Sequence, residues 1–340
     1  MTSLFWQKTR PSALVVLGFA LTLAALAAAH AAAPPREKIT LAVPVVAIQY
    51  APIYFGRTEG FFAEQGLELE VSVLRTDLAL TGLMSGKLDY IAHGGAALRG
   101  ATQGIPIKLV YALDDKSPFW LITQPEIRST AMLKGKSIGI SFPGDTPHLV
   151  LKRYLKQTGL DPDRDVTYVA GQISPIGFQG LSAGALDAAV MAPPYTVIAQ
   201  DKGFRGLAFL GKEVPDAPTI NGIVTSDAKI RSQPDQVARI VAAMLKSVQH
   251  YRQRPDAAVA LLSTQFNLEP GVASRIYRDS LATLIANGEV GPDKVRDALN
   301  LARESGQPHP ATMDPESLLD MSFLRQAQRS TVKPGPAVIK

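Results

Sequence analysis

The chain of 340 residues contains no cysteine. A disulfide framework is thereby excluded, and the fold must hold by burial alone, which a chain of this length manages readily. Histidine is scarce: the five are His30, His93, His148, His250 and His309, and no two stand at metal-ligand spacing, so no metal site is expected. Lys and Arg nowhere cluster into a block, so nucleic acid and a membrane surface are poor partners for this chain. No Gly-x-Gly-x-x-Gly loop follows a strand pattern, and no cofactor is expected.

Long hydrophobic runs are lacking but for one, at residues 13–29, preceded by Lys8 and Arg10. Ala29-His30-Ala31 and Ala31-Ala32-Ala33 both fit a small-x-small cleavage site. Residues 1–33 therefore read as a cleavable signal peptide ending at Ala31 or Ala33, with an uncleaved anchor helix as the rival reading. No cysteine follows to carry a lipid anchor, so a soluble product is expected, most naturally in a Gram-negative periplasm. Loss of Lys8 and Arg10 with the leader lowers the formal charge from +5 to +3.

What the chain does have is one passage written twice, over residues 38–95 and 136–195. Each copy opens on a strand pattern, Lys38-Ile39-Thr40-Leu41-Ala42-Val43 and Lys136-Ser137-Ile138-Gly139-Ile140-Ser141. Each then reaches Gly-Leu, at Gly66-Leu67 and Gly159-Leu160, and a helix end running into a strand that opens on Asp. Those ends are Leu83-Met84-Ser85-Gly86-Lys87-Leu88-Asp89 and Leu181-Ser182-Ala183-Gly184-Ala185-Leu186-Asp187. Repeats of this size signal two similar lobes, and a pair of lobes makes a ligand cleft.

The apolar runs predict strands near 38–45, 67–74, 88–93 and 107–113 with helices near 50–65, 77–85 and 96–103. The second copy predicts strands near 136–141, 166–170, 187–191 and 205–210 with helices near 146–158, 175–184 and 194–201. Residues 114–125 and 213–222 read as crossings between lobes, with a strand at 220–225 returning to lobe one. Four helices begin at Pro234, Pro255, Pro270 and Pro292 and run to 251, 266, 285 and 303, and they are expected to pack on lobe one. The organisation is thus an α/β chain of two similar α/β lobes joined by a two-segment hinge, with a ligand cleft between them. Lobe one takes 34–120 and 218–327, lobe two takes 121–217, and 328–340 is a disordered tail.

Gln49-Tyr50-Ala51-Pro52-Ile53-Tyr54 and Glu59-Gly60-Phe61-Phe62-Ala63-Glu64-Gln65-Gly66-Leu67 resemble one family in particular. Further matches are Gly86-Lys87-Leu88-Asp89-Tyr90, Gly135-Lys136-Ser137-Ile138-Gly139, Gly144-Asp145-Thr146 and Met191-Ala192-Pro193-Pro194-Tyr195. Together they resemble the substrate-binding proteins of ABC importers for sulfonates, taurine, nitrate and thiamine-pyrimidine precursors, the NMT1/THI5-like family. The resemblance implies a type II periplasmic-binding fold, acting as a monomer, that closes on a small molecule and delivers it to an inner-membrane ABC permease.

In open parallel sheets, ligands sit beyond the carboxyl ends of the strands. That rule selects Gln49, Tyr50, His93, Gly94, Gly95, Phe142, Gly144, Asp145, Thr146, Pro194 and Tyr195; Gln172 and Asn221 join them from a neighbouring strand end and the return crossing. Gly94 and Gly95 let backbone N–H groups approach a ligand, and helices starting at Ala96 and Thr146 point their positive ends at it. Such a site suits an anion. The plainer alternative makes Gly94-Gly95 an ordinary turn and Asp145 a helix cap. His93 either donates to the ligand or is a satisfied buried histidine; His148 is expected to be exposed. Phe119 and Trp120 are assigned to hinge packing, whereas Tyr50 and Tyr195 fall in the selected loops.

The resulting expectation is a non-enzymatic binding protein of an importer, capturing a small organic anion, a sulfonate or carboxylate. A membrane sensor's ligand-binding subunit and an importer protein for a neutral heterocycle such as a pyrimidine stay open as alternatives. Enzymes related to this family carry cysteine at their chemistry, which this chain lacks; only carboxylate chemistry would remain.

Overall fold

The computed structural model describes residues 35–304 and 313–331. The leader with its cleavage points, His30, His309 and the end of the tail lie outside them. The first stretch runs β1 (Glu37–Val43), α1 (Ala51–Thr58), α2 (Phe61–Glu64), β2 (Leu67–Val73), α3 (Thr76–Met84), β3 (Tyr90–Ile91), α4 (Gly94–Ala101) and β4 (Ile107–Asp114). The chain continues through β5 (Trp120–Thr123), β6 (Lys136–Gly139), α5 (Thr146–Gln157), β7 (Val166–Val169), α6 (Ser174–Ser182), β8 (Ala188–Met191), α7 (Tyr195–Asp201), β9 (Arg205–Phe209) and α8 (Leu210–Glu213). It ends with β10 (Asn221–Ser226), α9 (Asp227–Ser232), α10 (Pro234–Gln253), α11 (Pro255–Phe266), α12 (Pro270–Ser280), α13 (Pro292–Glu304) and α14 (Ser322–Thr331).

The strands form two five-stranded sheets, in the orders β2-β1-β3-β10-β4 and β7-β6-β8-β5-β9. Central β1 buries Ile39, Leu41, Ala42 and Val43, as a parallel strand covered on both faces must. The fourth place in each sheet is held by an antiparallel strand supplied by a crossing: β10 lies between β3 and β4, and β5 between β8 and β9. Residues 114–125 are therefore more than a crossing. The short run Trp120–Thr123 carries too little pattern to mark β5, and its pairing with β8 and β9 is what makes it a strand.

The repeated passage has a repeated physical cause. Gly86 and Gly184 adopt positive φ at the ends of α3 and α6. Gly86 N–H bonds to Leu83 and Leu88 N–H to Gly82; Gly184 N–H bonds to Leu181 and Leu186 N–H to Gly180. The turn sets the following aspartate on the first strand of its lobe. Asp89 accepts from Thr40 N–H at 2.8 Å and Thr40 Oγ1 at 2.9 Å, while its own N–H donates to Thr40 Oγ1 at 3.0 Å. Asp187 accepts from Ser137 N–H at 2.9 Å and Ser137 Oγ at 2.8 Å and donates back at 3.1 Å. The spaced Asp pair is a structural clamp, once per lobe.

Three expectations change. The segment 50–65 is two helices, because Gly60 turns at φ 79° between them. The tail does not begin at Gln328: α14 runs through Thr331, anchored by buried Leu324 and Ala327. The C-terminal helices serve both lobes. Val295 and Leu299 of α13 join the first lobe's core and Leu301 the second's; Val197 of α7 joins Ile276 and Tyr277 of α12. Arg153 of α5 holds Glu304 of α13 through two bonds at 3.2 and 2.6 Å, and Lys294 Nζ reaches the Pro215 carbonyl at 2.8 Å.

The two clamps differ in one respect. Asp89 also pairs with Lys229, and both side chains are mostly buried, whereas Lys136 beside Asp187 is 43% exposed. Asp187→Ala should cost about 1–3 kcal/mol through the orphaned Ser137 N–H. Asp89→Ala should cost more, about 3–5 kcal/mol, because it strands the Lys229 charge as well. Urea denaturation of the two variants checks the ranking; equal losses would remove Lys229 from the account.

Candidate functional site

A cleft of about 600 Å³ opens between the two sheets at the carboxyl ends of their strands. Gln49, Tyr50, His93, Gly95, Phe142, Gly144, Asp145, Thr146 and Asn221 line it, bringing residues from both lobes and the return crossing to one place. Gly94 lies just behind: a Cβ there would stand 2.9 Å from the Ile220 carbonyl oxygen, so the glycine is required by the close approach of the second crossing. Gln172, Pro194 and Tyr195 lie elsewhere. Gln172 packs over Gly139 and donates to the Ala170 carbonyl, and Tyr195 packs against Phe178. The strand-end rule names loops, and lobe two offers its α5 loop to the cleft, while its α7 loop is half-buried beside it, with Tyr195 against Phe178.

The helix starts are largely satisfied from within. Gly95 N–H donates to the Ile220 carbonyl at 2.7 Å. Gly144 N–H donates to His148 Nδ1 at 2.8 Å, and His148 N–H to Asp145 Oδ1 at 3.1 Å. Pro147 has no N–H to give. Asp145 is thus the cap of α5, its other oxygen accepting from Ser141 Oγ and Phe142 N–H. The Gly95 and Gly144 amides at these two loops are thus taken up by the protein itself.

His148, expected to be exposed, is 8% accessible: its ring stands edge-on to Tyr168 with centroids 4.5 Å apart. Burial pulls its imidazole below the ordinary value. His93 Nδ1 meets Thr76 Oγ1 at 2.7 Å at the cleft wall.

The cleft also draws on residues that the sequence reading left out. Pro118 and Phe119 come from the first crossing, Pro218, Thr219 and Ile220 from the second, and Ala298 and Leu301 from α13. Phe119, assigned to hinge packing, is a wall residue; Trp120 beside it stacks on Phe209 with centroids 5.1 Å apart. The contribution of α13 had no local signal, since it depends on a helix from the far end of the chain folding back between the lobes. Thr219 Oγ1 is buried without a protein partner among the described residues. Among the described residues that line the cleft none is Lys or Arg, and Asp145 is the one acidic side chain.

Beneath the floor lies Asp114, 4% exposed, at the end of β4. Asn221 donates to it from the backbone at 3.1 Å and from Nδ2 at 3.0 and 3.1 Å, and Tyr50 donates its hydroxyl proton to Asn221 Oδ1 at 3.3 Å. Burial pushes the Asp114 carboxyl up to about 7. The ordinary value is about 4. The folded protein then holds this proton more tightly than the unfolded chain, so the stability it contributes is present below about pH 4 and lost as pH rises through 7. Across pH 5 to 8 the wild-type Tm should therefore fall relative to that of Asp114→Asn; parallel profiles would show that Asp114 does not titrate there.

Among the described residues no helix is long and apolar enough to cross a membrane, and no cluster of acidic, histidine or cysteine side chains could hold a metal ion. Over 248 residues the chain is 29% identical to the riboflavin-binding protein RibY of Chloroflexus aurantiacus, covering 69% of this chain and 68% of that one. The aliphatic sulphonate binding protein SsuA of Escherichia coli superposes with a TM-score of 0.67 at 16% identity, over 84% of this chain and 92% of that one. A cysteine-to-serine mutant of the desulfurization enzyme DszB, in complex with biphenyl-2-sulfinic acid, superposes with a TM-score of 0.64 at 16% identity, over 87% and 99%. The two-lobed architecture is thus the periplasmic-binding fold, which also carries an enzyme. A sequence model of the NMT1/THI5-like family matches residues 47–258, more than half of the chain, and the protein belongs to that family.

Proposed function

We propose that the chain is the solute-binding component of an ABC importer, exported to the periplasm by its leader, and that its cargo is a small, flat, uncharged heterocycle of flavin or pyrimidine type. The carrying observation is the charge of the cleft: its described lining has no Lys or Arg and includes the Asp145 carboxylate. Desolvating a carboxylate or sulfonate without a partner costs on the order of several kcal/mol. The Gly95 and Gly144 amides, which could have compensated, already donate within the protein. An organic anion, expected from the two helix starts, is therefore the weaker reading.

The walls suit a flat ring. Phe142 is 61% exposed at the lip, and Phe119, Pro118 and Pro218 continue the apolar surface. Asn221, Tyr50, Thr219, Gln49, His93 and Thr146 place polar groups between these apolar walls, a mixture that suits the ring and the polar edge of a heterocycle. The riboflavin-binding relative supports the same ligand class. Asp145 and His93 are engaged with Ser141, Phe142 and Thr76 rather than arranged as a nucleophile and base, which supports capture and delivery to a permease without turnover.

Thermal shift with riboflavin, lumichrome, uracil, taurine, ethanesulfonate and nitrate tests the reading. A solute at a hundred times its Kd adds about 2.7 kcal/mol, a rise of several degrees. The rise should come with a heterocycle and with none of the anions; the reverse pattern would restore the anion. Phe142→Ala should weaken riboflavin binding about fivefold, the worth of one ring contact, and leave the Tm of the free protein unchanged.

A further inference from the structure

We propose that Asp114 sets the hydrogen-bond polarity of the cleft floor through Asn221 and Tyr50, so that the bound solute must offer an N–H donor to the Tyr50 oxygen, as the imide edge of a flavin or pyrimidine does. The inference rests on the reading of the cleft as a site for an uncharged heterocycle and adds which edge of it is read.

The chain of constraint starts at the buried carboxylate. Above about pH 7 Asp114 is ionised and can only accept, so only the NH2 side of the Asn221 amide can face it there. That fixes the amide, so Oδ1 points to Tyr50 and takes its hydroxyl proton. A hydroxyl has one proton, so the Tyr50 oxygen can only accept from anything else that approaches. Burial raises the Tyr50 hydroxyl far above its ordinary value, which keeps it in the neutral, donating form. The bonds run in one direction, from Tyr50 through Asn221 to Asp114, and hydrogen bonds aligned in this way reinforce one another. Tyr50, Gln49 and Asn221 all border the cleft, whereas Asp114 does not. A solute N–H finds a polarised acceptor on this floor; a solute carboxylate or sulfonate meets acceptor against acceptor.

Asp114 is thus a positioning residue, and its replacement has a specific consequence. Asn at 114 can donate to Asn221 Oδ1, which lets the Asn221 amide turn its NH2 to Tyr50 and frees the Tyr50 proton for the cleft. Riboflavin and 3-methylriboflavin, which carries a methyl in place of the imide proton, are the probes, titrated by fluorescence at pH 8 against wild type, Tyr50→Phe and Asp114→Asn. Wild type should prefer riboflavin by about fivefold or more, the worth of one buried hydrogen bond. The preference should shrink toward unity in both variants. A preference that persists in Tyr50→Phe would be steric, and one that persists in Asp114→Asn would deny the relay; either overturns the proposal, as would equal binding of the two flavins by wild type. Nuclear magnetic resonance of 15N-labelled protein reads the relay without a ligand. The Asn221 side-chain amide protons should exchange slowly and shift on Asp114→Asn, and solvent-like exchange in wild type would overturn the proposal. A responsive Asn221 in a protein that binds neither flavin would instead sink the flavin reading of the cleft and leave the relay standing.

Discussion

A carboxylate buried where the chain leaves one lobe is the constraint on which the rest depends. Asp114 ends β4, and Asn221, its partner, opens β10 where the chain comes back. A group of this kind cannot be left unpaired in the interior, so the two crossings are held side by side by the need to satisfy it. The same contact orients Asn221, and through it Tyr50, on the floor of the cleft. Hinge and cleft floor are therefore one hydrogen-bonded unit.

The crossings gain further rigidity from being strands. Each sheet accepts one antiparallel strand in its fourth position, β10 in the first and β5 in the second. Each crossing thus ends inside a sheet of the lobe it enters. Gly222 shows how closely: a Cβ there would meet the Tyr111 carbonyl oxygen at 2.1 Å. The hinge consists of the short segments between strands, Asp115 to Phe119 and the residues before Asn221, and those segments supply Pro118, Phe119, Pro218, Thr219 and Ile220 to the cleft.

Much of this was legible in the residues, and the part that was not has a physical pattern. The duplicated Gly-x-Leu-Asp passages gave two lobes because each encodes the same local turn and the same clamp onto the first strand. The loops after strands gave Gln49, Tyr50, His93, Phe142 and Asp145 because their position follows from parallel topology. Gly95 and Gly144 sit at the cleft too, but their N–H groups are taken up by Ile220 and His148, partners set by packing that no local pattern shows. Asp114 falls at the start of a segment, 114–125, read only as a crossing. Its signal was present, an aspartate directly after the apolar run Leu109-Val110-Tyr111-Ala112-Leu113, but burial of the carboxylate depends on β10 arriving from 107 residues away. Tyr195 shows the converse: its loop matches the family motif, yet the ring stands against Phe178 rather than on the lining of this cleft.

The helix α13 bears on how the cleft can work. Val295 and Leu299 belong to the first core and Leu301 to the second, so one helix is packed into both lobes at once. Arg153 reinforces the second attachment, bonding Glu304 on the helix and Asp216 on the second crossing. A wide opening would have to pull Leu299 or Leu301 out of its core, each costing about 1.5–3 kcal/mol of buried side chain, together with the Arg153 contacts. Small rotations that keep both leucines seated carry no such cost. The lobes are thus held near their present separation. On the reading proposed above, selection falls to the fixed polarity of the floor rather than to a large closing motion, because a cleft that moves little must already present the right acceptors when a solute arrives.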